Sequence, residues 1–267
     1  GGYKMDISAF EHYIEVDPAR VESHTVDGLA HYMTQFMKHI PFEDIHVQNG
    51  VPISTDVETN FDKIVHQHRG GFCYELNTLS QYYLKAKGYT VGRLAATVYT
   101  PEGDFVFKDS HLTTYVKLDG STYLVDVGFG NASTVPVPLT GEVVDDHHSG
   151  LYRVIKGTTD DYEMQQKVDE ASPWKTQYSF DFIDRPIDYF DEVIDKNQHD
   201  PASGFVQNLV VSRLTEEGRY TMSQHHLTIT DTSGQQKLPV TSDNYREILK
   251  DYFDIDETVK TLEPAND

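Results

Sequence analysis

The chain has 267 residues, 38% of them hydrophobic, which is enough for a sizeable core. Forty-three acidic residues against 22 basic ones give a formal net charge of −21, so nucleic acid and anionic membranes are not expected partners. No apolar run approaches the about 18 residues of a membrane span, no secretory signal is recognisable, and a single cysteine cannot form an internal disulfide. We therefore expect an acidic, cytoplasmic protein.

The first 90 residues show helical spacing. One apolar stripe ends at Pro41, where a helix is expected to stop, and it comprises Leu29, Tyr32, Met33, Phe36, Met37 and Ile40. A second stripe starts near Cys73 and comprises Leu76, Leu79, Tyr83 and Leu84. Gly88 stands where a helix commonly ends in a left-handed residue. These patterns predict two amphipathic helices within a helical N-terminal region.

Strand patterns begin at residue 90. Thr90–Thr100 is rich in residues that favour strands, and Leu112–Leu118 alternates apolar and polar positions. The dipeptide Asp119-Gly120 is a strong signal for a tight hairpin, after which Tyr123–Val127 predicts the returning strand. We therefore expect an antiparallel sheet in the middle of the chain.

The pattern becomes mixed towards the C-terminus. Aromatic residues fall on even positions between Trp174 and Phe182, which predicts a half-buried strand. Ser233-Gly234, after His225–Thr230, predicts a further hairpin.

A helix is expected near the end of the chain. It would present Tyr245, Ile248, Leu249 and Tyr252 on one face, with Asp243 as its cap. The acidic tail Asp254–Asp267 is expected to be loosely held. In chain order we predict helices, then a mostly antiparallel β region, then a mixed β/α end.

Cys73 is the candidate nucleophile. It follows Gly70-Gly71 and opens the second helix, where first-turn N–H groups and the helix dipole stabilise a thiolate. The same N–H groups can stabilise an oxyanion. A buried, inert cysteine is the competing interpretation, so catalysis requires a base nearby.

His111 and Asp126 supply a candidate base and its orienting carboxylate. A two-residue turn pairs Leu118 with Ser121 and places Asp126 opposite Thr113, on the same face as His111. Such diagonal neighbours lie about 7–8 Å apart at Cα. An Asp that accepts from one ring nitrogen leaves the other free to take the thiol proton. Docking of the cysteine helix against this sheet is an assumption at this point.

Histidine pairs were considered as metal ligands. No pair has Cys or carboxylate partners at a recognisable ligand spacing, so we expect no metal site. The pairs are His66/His68, His147/His148 and His225/His226.

Several segments, taken in order, resemble the arylamine N-acetyltransferase family. They run from about residue 25 to 210, and Asp44 stands where the family usually has Asn. The segments are Pro41-Phe42-Glu43, Arg69–Cys73 with Glu75-Leu76-Asn77, His111-Leu112, Asp126–Gly130 and Ser203–Asn208.

The resemblance implies an α+β fold with three parts. These are an N-terminal helical bundle in residues 1–90, a central antiparallel β-barrel in residues 91–200 and a C-terminal α/β lid in residues 201–267. It also implies a cysteine-protease-like Cys-His-Asp triad of Cys73, His111 and Asp126.

The resemblance further implies ping-pong acetylation through an acetyl-cysteine. Acetyl-coenzyme A would be the donor co-substrate and an arylamine or arylhydrazine the acceptor, with no metal cofactor. Phe42, Phe129 and Phe205 would line the pocket, and Gly128 and Gly130 would let the acyl end of the donor approach the backbone. The protein would be a monomer or a homodimer.

Other functions remain open from the sequence. A thiol hydrolase or a transglutaminase-like enzyme uses the same triad, and within the family an amide synthase is possible. A non-catalytic binder of small molecules that kept the fold is a further alternative.

Overall fold

A computed structural model describes residues 2–265. Its helices are α1 Ile7–Tyr13, α2 Pro18–Glu22, α3 Val26–His39, α4 Ile45–Gln48, α5 Val57–Phe61, α6 Cys73–Ala86, α7 Asp191–His199, α8 Gly204–Gln207 and α9 Tyr245–Phe253. Its strands are β1 Phe42–Glu43, β2 Thr90–Val98, β3 His111–Leu118, β4 Ser121–Leu124, β5 Val137–Pro138, β6 Val144–Asp145, β7 Leu151–Lys156, β8 Tyr162–Lys167, β9 Lys175–Phe180, β10 Val211–Leu214, β11 Arg219–Met222, β12 His226–Asp231 and β13 Gly234–Pro239. Within residues 2–265, none of the helices has the length and apolarity that crossing a bilayer requires.

Helix α3 confirms the first predicted stripe. The Thr25 side chain accepts from the Gly28 N–H at its start, and the helix stops two residues before Pro41, which cannot continue it. Its apolar face is buried, and Tyr32 stacks on Tyr83 of α6 with ring centroids 5.0 Å apart. The predicted apolar face is therefore the face that packs on the neighbouring helix.

Helix α6 is the central helix of the fold. It contacts α5 on one side and strands β2 and β3 on the other, so nearly its whole surface is buried. Gly88 follows its C-cap with φ +89°, which confirms the predicted end. The cysteine helix thus docks against the sheet, as the sequence interpretation had assumed.

The hairpin of β3 and β4 has the predicted register. Leu118 pairs with Ser121, and Asp119 and Gly120 both have positive φ, as a two-residue type I′ turn requires. The returning strand ends at Leu124, so the prediction that it reaches Val127 is wrong. The chain turns there because Asp126 accepts a hydrogen bond from the Gly128 N–H, 2.9 Å away.

Eight strands form one antiparallel sheet in the order β5-β4-β3-β2-β9-β8-β7-β6. The sheet curls into a nearly closed barrel, because its edge strand β5 contacts β7. The predicted α+β class with a central antiparallel barrel is confirmed.

The alternation predicted along β9 is only partly observed. Tyr178 and Phe180 point into the barrel, but Phe182 lies beyond the strand and is exposed. Met164 pairs with Tyr178 whereas the adjacent Gln165 pairs with Thr176, so one residue of β9 bulges. The bulge shifts the residues before it out of the simple even-position pattern.

A second sheet has the order β1-β10-β11-β12-β13 and packs against α9. The predicted hairpin after His225–Thr230 is present, with Thr232 and Ser233 as its loop. Strand β1 comes from the helical N-terminal region and pairs with β10, so this sheet joins distant parts of the chain.

Two predictions near the C-terminus are wrong. Asp243 does not cap α9, whose N-cap is Asn244. The tail is not loosely held as far as the structure describes it, because Ile255 and Val259 are fully buried and Glu257 accepts from Arg69. Residues 266 and 267 of the predicted tail lie outside the described residues.

Candidate active site

Cys73 is the first residue of α6 and is buried, with 4% of its surface exposed. The two preceding glycines are explained by close packing within the protein. A Cβ on Gly70 would lie 1.8 Å from the Pro41 carbonyl oxygen, and one on Gly71 would lie 2.6 Å from Glu75. These two positions thus require glycine because other parts of the protein approach them closely.

His111 is the first residue of β3 and links Cys73 to Asp126. Its Nε2 lies 2.7 Å from Asp126 Oδ2, and both side chains are buried. Burial alone lowers the pKa of His111, but the charge and hydrogen bond of Asp126, together with a hydrogen bond to Cys73, raise it to about 10. The imidazole is therefore protonated at neutral pH.

Asp126 is held by five donors. Burial raises its pKa, but His111 and the hydrogen bonds lower it further, so the net pKa is lowered and the carboxylate stays ionised. The donors are His111 Nε2, Thr113 Oγ1 at 3.1 Å, Tyr178 OH at 2.9 Å, Asn77 Nδ2 at 3.0 Å and the Gly128 N–H.

Asn77 and Tyr178 were missed as functional residues, and Thr113 was recognised only as the residue opposite Asp126. Asn77 lies one turn after Cys73 and also donates to the Leu112 carbonyl oxygen at 2.8 Å, so it joins α6 to the sheet. Its place in the Glu75-Leu76-Asn77 segment was the available signal. Tyr178 was recognised only as an inward aromatic residue of a strand. Nothing in the local pattern indicates where its hydroxyl group points.

Cys73 and His111 open onto a cavity of about 330 Å³. The side chains around it are mostly apolar and aromatic, and the Phe129 ring lies 5.1 Å from the His111 ring. Four of the five predicted pocket residues line this cavity with the cysteine and histidine: Phe42, Gly128, Phe129 and Phe205.

The fifth predicted pocket residue, Gly130, is not among the residues that line the cavity. It has φ +86°, a conformation that glycine adopts without strain. Gly128 does line the cavity, but a Cβ there would lie 3.0 Å from the Cys73 Cα and 2.8 Å from Asn77 Nδ2. Both glycines are thus accounted for by the packing and turning of their own loop.

A second buried charge cluster lies behind the start of α6. Arg69 donates to both carboxylate oxygens of Glu43, at 2.7 and 3.2 Å, and Lys63 Nζ lies 2.5 Å from Glu75. Burial raises the pKa of Glu43, but Arg69 and Lys63 lower it to about 2 overall. All four side chains are almost fully buried, and this cluster secures the loop that precedes Cys73.

Asp44 is a third buried carboxyl group. Its Oδ1 accepts from the Val210 N–H at 2.9 Å, whereas its Oδ2 has no hydrogen-bond partner within residues 2–265. Burial raises its pKa well above the usual value. Asp44 therefore leaves one buried carboxyl oxygen without a hydrogen-bond partner among residues 2–265.

No cluster of three or more His, Cys, Asp or Glu side chains suited to a metal ion occurs in the described part of the chain. A cysteine next to a protonated histidine, both facing an apolar cavity, suits nucleophilic attack on an acyl group.

Comparisons with known proteins agree with this geometry. A family model described as N-acetyltransferase matches residues 25–261. The arylamine N-acetyltransferase of Mycobacterium tuberculosis is 34% identical over 80% of this chain and 77% of that protein. Arylamine N-acetyltransferase C from Bacillus anthracis has a TM-score of 0.86 at 25% identity, covering 95% of this chain and 100% of that one. The Mycobacterium marinum enzyme, solved in complex with CoA, has a TM-score of 0.84 at 28% identity and covers 97% of each chain. The chain belongs to the arylamine N-acetyltransferase family.

Proposed function

We propose that this chain acetylates small arylamines or arylhydrazines through an acetyl intermediate on Cys73, with His111 as proton carrier and Asp126 as its orienting group. As a member of its family the chain is an acyltransferase with acetyl-coenzyme A as acetyl donor. One observation carries the assignment of roles. Cys73 and His111 face an aromatic cavity, while Asp126 lies behind them and is held by five donors.

In the first half-reaction the Cys73 thiolate attacks the carbonyl carbon of the thioester. A new carbon–sulfur bond forms, the bond to the coenzyme A sulfur breaks, and the leaving thiolate takes the proton of His111. The N–H groups of Glu75 and Leu76 donate to the Phe72 carbonyl oxygen, whereas those of Cys73 and Tyr74 have no backbone partner within residues 2–265 and suit the transient oxyanion. Acetyl-Cys73 and neutral His111 remain.

In the second half-reaction the amine nitrogen attacks acetyl-Cys73. His111, now neutral, takes a proton from that nitrogen as the Cys73 thiolate leaves. The N-acetylated product departs and the starting ion pair is restored. The Asp126 contact keeps Nε2 as the donor nitrogen throughout, so Nδ1 is the atom that exchanges the proton with sulfur or substrate.

The shape and lining of the cavity support an aromatic acceptor. Phe42, Phe129 and Phe205 line the cavity together with Cys73, and the Phe42 and Phe205 ring centroids lie 6.1 Å apart. A flat aromatic amine gains contact with these rings on entering, whereas water gains little. This difference favours acyl transfer to an arylamine over hydrolysis.

The test is intact-protein mass spectrometry after mixing with acetyl-coenzyme A and no acceptor. We expect the mass to rise by one acetyl group in the native protein and not in Cys73→Ala. Added arylamine should discharge the group and yield the N-acetylated amine. A rapid discharge by water alone would favour the hydrolase. Failure of acetyl and longer acyl thioesters to acylate Cys73 would overturn the proposal.

We also propose a cytoplasmic location, because a nucleophile that is the chain's one cysteine has to stay reduced. The division into a helical part at residues 1–90, a barrel at 91–200 and a lid at 201–267 likewise remains a proposal. Cell fractionation tests the first, and limited proteolysis near residues 90 and 200 tests the second.

A further inference from the structure

Arg219 connects the five-stranded sheet to the loop that carries Phe129. It is the first residue of β11, and its side chain is partly buried. Its Nη1 donates to the Gly130 carbonyl oxygen at 2.6 Å and to Ser212 Oγ at 2.9 Å. Gly130 directly follows Phe129, so the guanidinium group contacts the backbone next to a wall of the candidate active site.

The electrostatic setting of Arg219 differs from that of Arg69. Arg69 is paired with the carboxylates of Glu43 and Glu257, whereas no carboxylate lies within ion-pair distance of Arg219 among residues 2–265. Burial lowers the pKa of Arg219, and electrostatic interactions with the more distant Tyr152 and Asp146 only partly oppose this. Removing a guanidinium group from water without a paired charge costs free energy. A gain in stability therefore does not by itself explain why an arginine occupies position 219.

The two acceptors of Arg219 do not line the cavity themselves but adjoin residues that do, Phe129 and Phe42. Gly130 ends the segment whose Gly128 N–H binds Asp126, and Ser212 pairs with Phe42 in the β1–β10 ladder. A Cβ at Gly130 would lie 3.5 Å from the Phe42 ring, so the loop and Phe42 are already in contact. One guanidinium group thus bonds both to the loop of residues 128–130 and to β10, the strand that pairs with the Phe42 strand β1.

We propose that Arg219 is a positioning residue that holds the loop of residues 128–130 against the five-stranded sheet and thereby sets Phe129 for the acceptor. The contact with substrate is made by Phe129, and Arg219 acts through the Gly130 carbonyl group. The expected influence of Arg219 on binding of the arylamine rests on the proposed function. Its influence on the position of the loop of residues 128–130 does not.

Arg213 offers a matched control within the same sheet. It too is a partly buried arginine whose guanidinium donates to carbonyl oxygens, those of Tyr252 at 2.7 Å and Lys38 at 3.3 Å. It makes no recorded hydrogen bond to the loop of residues 128–130 in the described part of the chain. Arg213→Met therefore removes a similar set of bonds from the same sheet while leaving the loop contact intact.

The first measurement is hydrogen–deuterium exchange in the peptide that covers residues 125–133. We expect about tenfold faster exchange in Arg219→Met, because a hydrogen bond from a charged donor is lost, and little change in Arg213→Met. Arg219→Lys should restore part of the protection, since its ammonium group can donate to Gly130. Equal exchange in Arg219→Met and the native protein would overturn the proposal. So would equal increases in both Met variants.

The second measurement compares the two half-reactions. In Arg219→Met we expect the KM for the arylamine to rise about tenfold, a modest loss for a displaced contact residue, while the rate of acetyl loading stays near native. Arg213→Met should change neither. Equal losses in loading and in acceptor transfer would indicate a general structural role and contradict the proposal. If Arg219→Met shows faster exchange but the native protein acetylates no arylamine, the proposed function is refuted, whereas the role of Arg219 in holding the loop is supported.

Discussion

Two buried charge clusters flank the start of α6, and only one of them is suited to chemistry. In the first, Asp126 and His111 form an ion pair whose second ring nitrogen faces Cys73. In the second, Glu43 and Arg69 form a bidentate pair, and Glu43 also accepts from the backbone N–H groups of Ile45 and Gly70. The bonds are similar in kind and in length.

The clusters differ in whether a hydrogen-bonding group remains free to act on a substrate. In the Glu43–Arg69 cluster every strong donor is directed at a carboxylate, so nothing is left to act on a substrate. In the Asp126–His111 cluster five donors saturate the carboxylate, but the imidazole keeps one nitrogen for the thiol. A buried ion pair can take part in proton transfer when one of its groups carries a proton that is not used in the contact between the two.

The largest expected effect is on catalysis. Asp126→Asn should lower kcat/KM about 10⁴-fold, because an amide does not stabilise the imidazolium as a carboxylate does and does not fix the tautomer of the neutral imidazole. Acetyl transfer to an arylamine measures this. Asp146→Asn is a control, because Asp146 is also buried and accepts from the backbone N–H groups of Ser149 and Gly150 away from Cys73. Equal losses of activity in the two variants would remove the distinction between the clusters.

The second effect is on stability. Arg69→Met leaves Glu43 buried without its cation and should lower the free energy of unfolding by about 3–5 kcal/mol. Urea unfolding measures this, and the pH profile of Cys73 alkylation by iodoacetamide should stay native. The double variant Glu43→Gln/Arg69→Met should recover part of the loss. A changed alkylation profile with native stability would mean that this cluster serves the thiol.

A third prediction separates the clusters by pH. The pKa of His111 is raised from 6.5 to about 10, so its stabilising contribution is complete below pH 6.5 and is lost as pH rises to about 10. The pKa of Glu43 is lowered from 4.5 to about 2, so its contribution is present above pH 4.5 and is lost as pH falls towards 2. Unfolding free energies of the native protein, His111→Gln and Glu43→Gln across pH measure both. If both stabilising contributions were lost above pH 7, or both below it, the assignment of the alkaline loss to His111 and of the acidic loss to Glu43 would be contradicted.

The smallest expected effect concerns Asp44, which belongs to neither cluster. Its raised pKa means that its contribution is present below its usual value of 3.8 and is lost as pH rises through the folded-state pKa. Asp44→Asn does not titrate and should therefore be more stable than the native protein at neutral pH by about 1 kcal/mol. Thermal unfolding at several pH values measures this. A gain that does not grow with pH would show that the carboxyl group is not the cause.

The sequence predicted the parts of the site that depend on local rules. The Asp119-Gly120 turn has one favoured geometry, and this register brings Asp126 to the face of His111. Helix α6 and its end at Gly88 follow from apolar spacing and from glycine at a left-handed position. These features are determined by residues that lie close together in the sequence.

The remaining parts depend on tertiary contacts. Tyr178 meets Asp126 across 52 residues, and Glu43 meets Arg69 across 26, so no local pattern indicates either bond. The end of β4 at Leu124 is set by a hydrogen bond within the Asp126–Gly128 turn, which overrides the strand preference of Val125 and Val127. The packed tail likewise depends on a surface that forms only in the folded chain.

The pairing of β1 with β10 bears on how the chain folds during synthesis. Phe42 and Glu43 pair with residues of β10 that lie about 170 positions later in the chain. The Asn49 side chain hydrogen-bonds to the backbone of Thr258 and Lys260, which lie more than 200 positions later. Such non-local contacts slow folding, because the entropy of loop closure is lost before they form. Cys73 and His111 will thus have left the ribosome well before Phe42 gains its strand partner. Nascent chains should therefore acquire a reactive thiol before they acquire a finished substrate pocket.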